Sequence, residues 1–493
     1  MFQIKNFEPR DYQKNIMQSC LKRNTLVVVP TGLGKTKIAI LVAVEMINKG
    51  KILFLTPTRP LASQIQKEFL DYTNIENVEL VTGTILPVKR KEFYKKALVI
   101  ISTPQTIEND IKNNLINLND FSLLVVDETH RAVKKFAYTF VAEEYRKIKT
   151  DGRLIGLTAS PGSDRSVIDE IKKHLGVINV EIRTETDSDV KEYVQEKKIE
   201  NIKVDLPIYF LEVVNYLKSA YKRRLENLEA FGYKKSVRYI RKLDILTFQK
   251  YLHKQINQGN KFAYSGVSLT AALLKLSHAL ELLETQGLKA SYVFLENLKS
   301  DQTKAASSLL NDQSIIKAMN IMKNLDINHP KVDSLKEVVI NQLKESPNSR
   351  VIVFAKFRAT TKMICEVLSV SSGIKPVELI GQKEGLKQSE QIQRIKEFGE
   401  GKYNCLITTN IGEEGLDIAS ADLAIFYDQT GTSIRKIQRA GRVGRLTPGK
   451  IVNLITRGTR DESTYYAARA DEKKMKSTLQ SMQRDINLGN FDG

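Results

Sequence analysis

The sequence predicts an α/β fold, with two parallel-sheet domains and an all-helical domain inserted between them. Three observations lead to it. Short, continuous apolar runs recur five times in the first third of the chain, each ending in small or polar residues. The same layout returns five times in the last third, and the stretch between carries only helical spacing. Unbroken Val, Ile and Leu runs of this length are how strands buried on both faces read. At 493 residues the chain is long enough for two or three separate cores. The boundaries read from these shifts are 1–199 and 329–470 for the sheet domains, 200–328 for the insert and 471–493 for a helical tail.

The first set of runs is LVVV (26–29) before PTGLGKT, ILFL (52–55) before TPTR, LVII (98–101) before STPQ, LLVV (123–126) before DETH and LIGL (154–157) before TAS. Polar residues thus fall at the strands' carboxyl ends, where open α/β sheets bind ligands. Gly32-Leu33-Gly34-Lys35-Thr36 lies between a strand and the helical pattern KIAILVAVEMI, the setting a phosphate loop needs. Glycines let backbone N–H groups curl around phosphates, and the helix N-terminus adds partial positive charge. Lys35 can then reach phosphate oxygens and Thr36 can hold Mg²⁺. The first glycine of the usual spacing is missing, because position 29 is Val29. Asp127 and Glu128 leave an apolar strand side by side. That pattern suits an Asp that holds Mg²⁺ and a Glu that orients and deprotonates the attacking water. With Lys35 they point to hydrolysis of a nucleoside triphosphate and not only to its binding.

The middle of the chain, from 200 to 328, shows no strand-like run. Leu211, Val214, Leu217, Tyr221 and Leu225 recur at helical spacing, as do Leu269, Leu273, Leu276, Leu280 and Leu283. The pair His329-Pro330 marks the far boundary. Between Lys218 and Lys261 stand twelve basic residues against three acidic ones, and 219–243 reads as one basic helical rod. Either this rod is a solvated face or it holds a polyanion, and the one-sided charge favours the second. Arg223, Lys235, Arg238, Arg241 and Lys242 are its candidate nucleic-acid contacts, with Leu217, Tyr221, Leu225 and Leu228 facing a small core of its own.

The second set of runs is VIVF (351–354), VELI (377–380), CLI (405–407), LAIFY (423–427) and IVNLI (451–455). No phosphate loop accompanies them. Instead the segment 438–445 reads QRAGRVGR. Arg442 and Arg445 are three apart, so one helical turn would face both guanidiniums the same way, with Gln438 on the preceding turn. Arginines aimed at a γ-phosphate accelerate its transfer by roughly 10³ to 10⁵. A loop and acids on one sheet and arginines on the other imply an ATP site shared across an interdomain cleft.

Composition sets the remaining bounds. The 76 Lys and Arg exceed the 57 Asp and Glu, giving +19, which suits nucleic acid or an anionic surface as partner. Cys20, Cys365 and Cys405 are isolated, so neither a zinc site, an iron–sulfur cluster nor a disulfide is expected. No apolar run reaches a membrane span, and the start MFQIKNFEPRDYQ lacks the layout of a signal peptide. These readings place the chain inside the cell, in the cytoplasm and associated with the nucleoid, with no membrane partner. A small-molecule P-loop enzyme is disfavoured, since no further sequence block offers a metabolite pocket.

Taken together and in order, these motifs resemble superfamily 2 helicases from residue 10 to about 460. RDYQ (10–13) resembles the Q motif, PTGLGKT motif I, TPTRPLASQ motif Ia, STPQ motif Ic, DETH motif II and TAS motif III. VFAKFR resembles motif IV, TTNIGEEGLDI motif V and QRAGRVGR motif VI. The resemblance implies two RecA-like domains that step along a strand as ATP is hydrolysed. It implies ATP contacts at Arg10, Gln13, Thr31, Gly32, Gly34, Lys35, Thr36, Gly415 and Asp417, and Mg²⁺ at Thr36 and Asp127. Catalysis would fall to Lys35, Asp127, Glu128, Gln438, Arg442 and Arg445, and coupling to His130, Thr158 and Ser160. Strand contacts would come from Arg59, Thr103, Phe357, Gly381 and Thr408, whose hydroxyl and backbone groups suit phosphates. Phe357 is read equally as a core aromatic or as a base-stacking one.

DETH combined with a helical insert resembles most the archaeal Hef helicases and their Fanconi-type M relatives. That implies an ATP-dependent DNA helicase or translocase acting on forked and Holliday-type DNA, with a thumb-like insert. The partners implied are branched DNA and a nuclease domain or replication clamp. No nuclease motif stands in the sequence, so no nuclease activity is expected. The alternative is an RNA-dependent ATPase of the Dicer or RIG-I type, because phosphate-gripping loops do not report the 2′-hydroxyl.

Overall fold

The computed structural model of the protein describes residues 2–133, 136–195, 197–234, 242–325, 327–381, 385–409, 418, 420–443 and 449–487. The first sheet contains β1 (Thr25–Val28), β2 (Lys51–Leu55), β3 (Val78–Val81), β4 (Val99–Ser102), β5 (Phe121–Asp127), β6 (Arg153–Thr158) and β7 (Asn179–Ile182). Their order is β3-β4-β2-β5-β6-β1-β7, and every pairing is parallel. The five strands predicted are the five interior ones. The two that the sequence hid, β3 and β7, are the edges, each with half-buried residues interrupting the apolar ones. Along a central strand the side chains alternate between two cores: Val27 and Val125 point to one face, Leu26 and Leu124 to the other. Crossover helices cover both faces: α1 (Asp11–Lys22), α2 (Lys35–Met46), α3 (Arg59–Tyr72), α4 (Pro87–Lys96), α5 (Pro104–Lys112), α6 (Ala137–Ile148) and α7 (Arg165–Leu175).

The second sheet corrects one expectation. The sequence predicts no strand in 200–328, yet β8 (Lys197–Val204) runs into this stretch and joins the second sheet. It lies parallel to the last strand over eight pairs, Lys197↔Gly449 to Val204↔Thr456. Its residues alternate exposed and half-buried, with four charged side chains, so no apolar run announces it. The other strands, β9 (Val351–Phe354), β10 (Pro376–Leu379), β11 (Cys405–Thr408), β12 (Leu423–Phe426) and β13 (Gly449–Thr456), match the predicted runs. The order is β10-β11-β9-β12-β13-β8.

Between β8 and β9 stand α8 (Ile208–Asn227), α9 (Lys242–Asn257), α10 (Ala263–Gln286), α11 (Leu288–Asn297), α12 (Lys304–Leu310) and α13 (Gln313–Asn324). Leu217, Leu225 and Leu228 are buried as expected, with Tyr221 packed beside them. The basic stretch is not one rod. The helix ends at Asn227, a short 3₁₀ turn follows, and Gly232 closes it with φ of +89°; α9 is described from Lys242 onward. A second correction concerns α10, whose 24 residues are long and apolar enough to cross a membrane by length and composition. Here it is the core helix of the insert, with Leu273, Leu276, Leu280 and Leu283 buried.

Residues 331–487 add α14 (Lys331–Glu345), α15 (Arg358–Ser369), α16 (Gln388–Gly399), α17 (Ser433–Ala440) and α18 (Arg460–Asn487). The seam at His329-Pro330 is packed and not a loose linker. His329 is buried edge-on to Phe210 and lies 3.0 Å from the Glu284 carbonyl. Arg460 adds a backbone hydrogen bond to the Glu284 carboxylate at 3.1 Å and donates to the Ser277 carbonyl at 2.8 Å. Residues 471–487 form the second half of α18, which leaves its own sheet. Met475, Leu479 and Met482 are buried in the core of the first domain. Arg165 pairs with Asp485 at 3.0 Å, and Thr478 donates to the Ser163 carbonyl at 3.1 Å.

Candidate active site

The phosphate loop is shorter than the usual spacing suggests, and the structure gives the reason. Val29 is still extended beside β6, fully buried, with its N–H donating to the Thr158 carbonyl at 3.1 Å. The loop proper is Pro30–Gly34, and Lys35 opens α2 with its ammonium 3.4 Å from the Val29 carbonyl. Gly34 is the N-cap residue at φ +75°, a left-handed conformation. A Cβ there would also stand 2.7 Å from Gln13 Nε2. The loop therefore depends on Gln13, which donates to the Leu33 carbonyl at 3.3 Å and accepts from the Arg10 N–H at 3.0 Å. Gly34→Ala is expected to raise the ATP KM about tenfold or more, because it combines backbone strain with displacement of Gln13. An ATP titration, with circular dichroism to confirm folding, checks this. An unchanged KM would remove the tie between Gln13 and the loop.

Asp127 ends β5 and Glu128 follows at φ +51°, a left-handed conformation rare for a residue with a side chain. Strain of this kind persists only where surrounding structure holds it. The Glu128 carboxylate faces His130, with Nδ1 and Oε2 3.3 Å apart. Burial and the neighbouring Glu128 charge push Asp127 above the usual carboxylate range, while Lys35 pulls it down. Two carboxylates with insufficient positive charge are a fitting donor set for a hard dication, which takes one or two carboxylates plus phosphate and water. Thr158 and Ser160 are buried just behind, the Thr158 hydroxyl accepting from the Ser160 N–H at 3.1 Å. Val29 N–H on the Thr158 carbonyl links this turn to the phosphate-loop strand, so the proposed coupling residues touch the nucleotide side through backbone.

From the second sheet, Gly441 packs directly on Thr31, where a Cβ would lie 2.5 Å from the Thr31 methyl. The glycine is what lets the arginine-bearing turn reach the phosphate loop. Gln438 is buried on α17. Arg439 is buried too, but structurally: it lies over the rings of Phe354 and Phe426 and donates to the Asp428 carbonyl at 2.8 Å. Arg442 follows α17 in a tighter turn, its N–H donating to the Arg439 carbonyl at 3.1 Å. α17 ends at Ala440, and the Arg442 carbonyl accepts from Ala421 N–H at 3.1 Å. Arg445, Gly415 and Asp417 lie outside the described residues. The resulting pocket is walled by Pro30–Leu33, by Gly441 and Val443, and by a segment that no sequence motif marks, Glu185 and Tyr193–Gln195.

Arg59 and Thr103 meet in one groove at the carboxyl ends of β2 and β4, together with Gly83, Arg90, Thr106 and Asn109. The Thr103 and Thr106 hydroxyls are 2.9 Å apart. Arg90 was hidden in the run PVKRKEFYKK, which reads as a solvated charged helix. It is buried, donating to both oxygens of Asp110 at 2.7 and 2.5 Å, with the Tyr94 hydroxyl on the same carboxylate at 2.5 Å. On the second sheet, Thr408 pairs in register with Phe354 and Leu379, so Phe357, Gly381 and Thr408 follow three adjacent strand ends. Phe357 is half-buried and lies 6.5 Å from the His278 ring of the insert, while the Thr408 hydroxyl is spent on the Thr409 carbonyl at 3.1 Å.

Of the insert candidates, Arg223 is half-exposed but engaged, on Asp312 at 2.8 and 3.0 Å and on Ser314. Lys242 is exposed at the start of α9, and Lys235, Arg238 and Arg241 lie outside the described residues. Among the described residues no cluster of three His, Cys, Asp or Glu side chains is placed to hold a metal ion.

Comparison with known proteins gives matches along the whole chain. The family model "DEAD/DEAH box helicase" matches residues 10–169, and "Helicase conserved C-terminal domain" matches 330–447. Between them, "Putative ATP-dependent RNA helicase, helical bundle" matches 209–329. The crystal structure of the Pyrococcus furiosus Hef helicase domain superposes with a TM-score of 0.73 at 40% identity, covering 93% of this chain and 98% of that one. "Putative ATP-dependent RNA helicase MJ1505" of Methanocaldococcus jannaschii is 39% identical over 97% of this chain and 61% of its own length. ATP-dependent DNA helicase mph1 of Neurospora crassa is 34% identical over 92% of this chain and 41% of its own. The mouse Fanconi anemia group M protein homolog is 30% identical over 98% of this chain and 26% of its own. The chain thus spans between about a quarter and three fifths of these three relatives.

Proposed function

Because the chain belongs to the superfamily 2 helicases of the Hef and Fanconi-type M branch, we propose that it uses ATP hydrolysis to unwind or remodel forked and Holliday-type DNA. The observation that carries this reading is the contact of Gly441 with Thr31, which sets the arginine-bearing turn of one sheet against the phosphate loop of the other. Hydrolysis at such a seam changes how the two sheets face each other, and the groove of Arg59 and Thr103 sits on the first of them. Thr36 and Asp127 would hold Mg²⁺ beside phosphate and water, where the ion supplies charge to the transferring phosphoryl group. Gly415, Asp417 and Arg445 complete the site in this reading.

The insert serves as a thumb-like clamp on nucleic acid. Exposed Lys250, Lys254 and Lys261 alternate with exposed Tyr251, Phe262 and Tyr264, a mixture of cations and rings that suits a phosphate backbone and its bases. Branched DNA is the partner, with a nuclease domain or replication clamp as a further one, in an intracellular, nucleoid-associated setting. The name of one relative, ATP-dependent DNA helicase mph1, supports DNA. RNA-dependent hydrolysis is the second reading, favoured by the word RNA in the helical-bundle model and in the Methanocaldococcus relative.

Stimulation of ATPase activity separates the two. Forked DNA is expected to stimulate most, linear duplex DNA less and double-stranded RNA not at all. Stimulation by RNA alone would sink the DNA reading.

A further inference from the structure

We propose that Tyr193, on the linker between the two sheets, is a positioning residue for the nucleobase of ATP. It holds the Arg10 guanidinium in a fixed plane, and the opposite face of that plane receives the base. The inference rests on the ATP-site reading above and adds a residue to it.

The geometry is that of a braced cation. Arg10 Cζ lies 4.1 Å above the Tyr193 ring centroid, so one face of the guanidinium is covered and no planar group fits between them. Its edge is fixed by Nη1 donating to the Tyr12 hydroxyl at 3.3 Å, and its backbone by Gln13 Oε1 at 3.0 Å. Tyr12 is itself locked, fully buried with its hydroxyl 2.5 Å from the Leu33 carbonyl, and its ring lies 5.9 Å from that of Tyr193. A guanidinium is planar and stacks on π systems through either face. With one face on Tyr193 and the edge on Tyr12, the remaining face is the surface available to a base. Tyr193 also lines the same pocket as Pro30–Leu33 and Gly441, so its ring borders the space beside the phosphate loop.

The position of Tyr193 in the chain gives the brace its consequence. It ends a 3₁₀ turn, Lys191–Tyr193, and β8 of the second sheet begins four residues later at Lys197. The base site of the first domain is therefore completed by a segment that leads straight into the second. A change in how the sheets face each other moves this segment, and with it the plane that meets the base.

The test uses the full chain with Tyr193→Ala, Tyr193→Phe, Arg10→Ala and the double variant Arg10→Ala/Tyr193→Ala. ATP binding is read by competition with a fluorescent ATP analogue, and tripolyphosphate serves as a probe that lacks the base. Tyr193→Ala is expected to weaken ATP about tenfold and leave tripolyphosphate unchanged, as loss of a cation–π brace predicts. Tyr193→Phe should behave as wild type, and the double variant should bind ATP no worse than Arg10→Ala. The proposal is overturned if Tyr193→Ala leaves ATP affinity unchanged, or tightens it because the base takes the ring's place. Equal weakening of tripolyphosphate, or a phenylalanine that fails to rescue, overturns it too. Binding needs no turnover. A wild-type chain that binds ATP but never hydrolyses it would sink the motor reading while leaving this result intact.

Discussion

Glu128→Gln is expected to cut ATP turnover by about 10² to 10⁴, with ATP and DNA affinities within about twofold of wild type. The magnitude is what a positioned general base contributes, and the structure explains why binding should survive. Glutamine has nearly the same shape, so the left-handed backbone at 128 need not change, and its amide oxygen can still face His130 Nδ1 as the carboxylate does at 3.3 Å. Asp127, the acid proposed to hold Mg²⁺, is untouched. It loses a neighbouring negative charge, which is one of the two causes holding its proton on. Single-turnover hydrolysis beside equilibrium binding measures both quantities. Turnover at the wild-type rate would take Glu128 out of the mechanism.

Arg442→Ala is expected to slow hydrolysis by roughly 10³ to 10⁵, as loss of a γ-phosphate arginine does, while ATP affinity falls far less. The backbone of this turn is held independently of the side chain, by Ala421 N–H on the Arg442 carbonyl and by Gly441 against Thr31. Removal of the guanidinium therefore leaves the seam in place. Arg442→Lys should recover little, because an ammonium offers a point charge where a planar fork is needed. Arg439→Ala is the contrast: buried over two rings, it should lower the melting temperature first and activity only as a consequence. Equal losses of rate and ATP affinity in Arg442→Ala would argue against action in the transition state.

Much of the site was legible because its residues sit where the sequence must change character. A strand buried on both faces has to be apolar, and the polar residues that follow it, Thr31, Lys35 and Thr36 after β1 or Asp127 and Glu128 at the end of β5, stand out against it. What the sequence hid has two physical causes. Edge strands β3, β7 and β8 are paired on one side only, so they carry polar residues and lose the apolar signature. Arg90, Arg224 and Arg439 look like surface charge in sequence, yet each is buried. Their partners Asp110, Asp312 and Asp428 lie 20, 88 and 11 residues away.

By itself the sequence determined the fold class and the interior strands and singled out candidates for a nucleotide site, because local burial and phosphate chemistry demand particular residue types at fixed spacings. Only the tertiary structure decided the long-range partnerships. It showed that Gly441 must lack a side chain to meet Thr31, and that β8 belongs to the far sheet. It also showed that α18 returns to the first core and that the basic rod breaks at Gly232. Such contacts join residues hundreds of positions apart, and nothing in either neighbourhood alone records which distant surface will cover it.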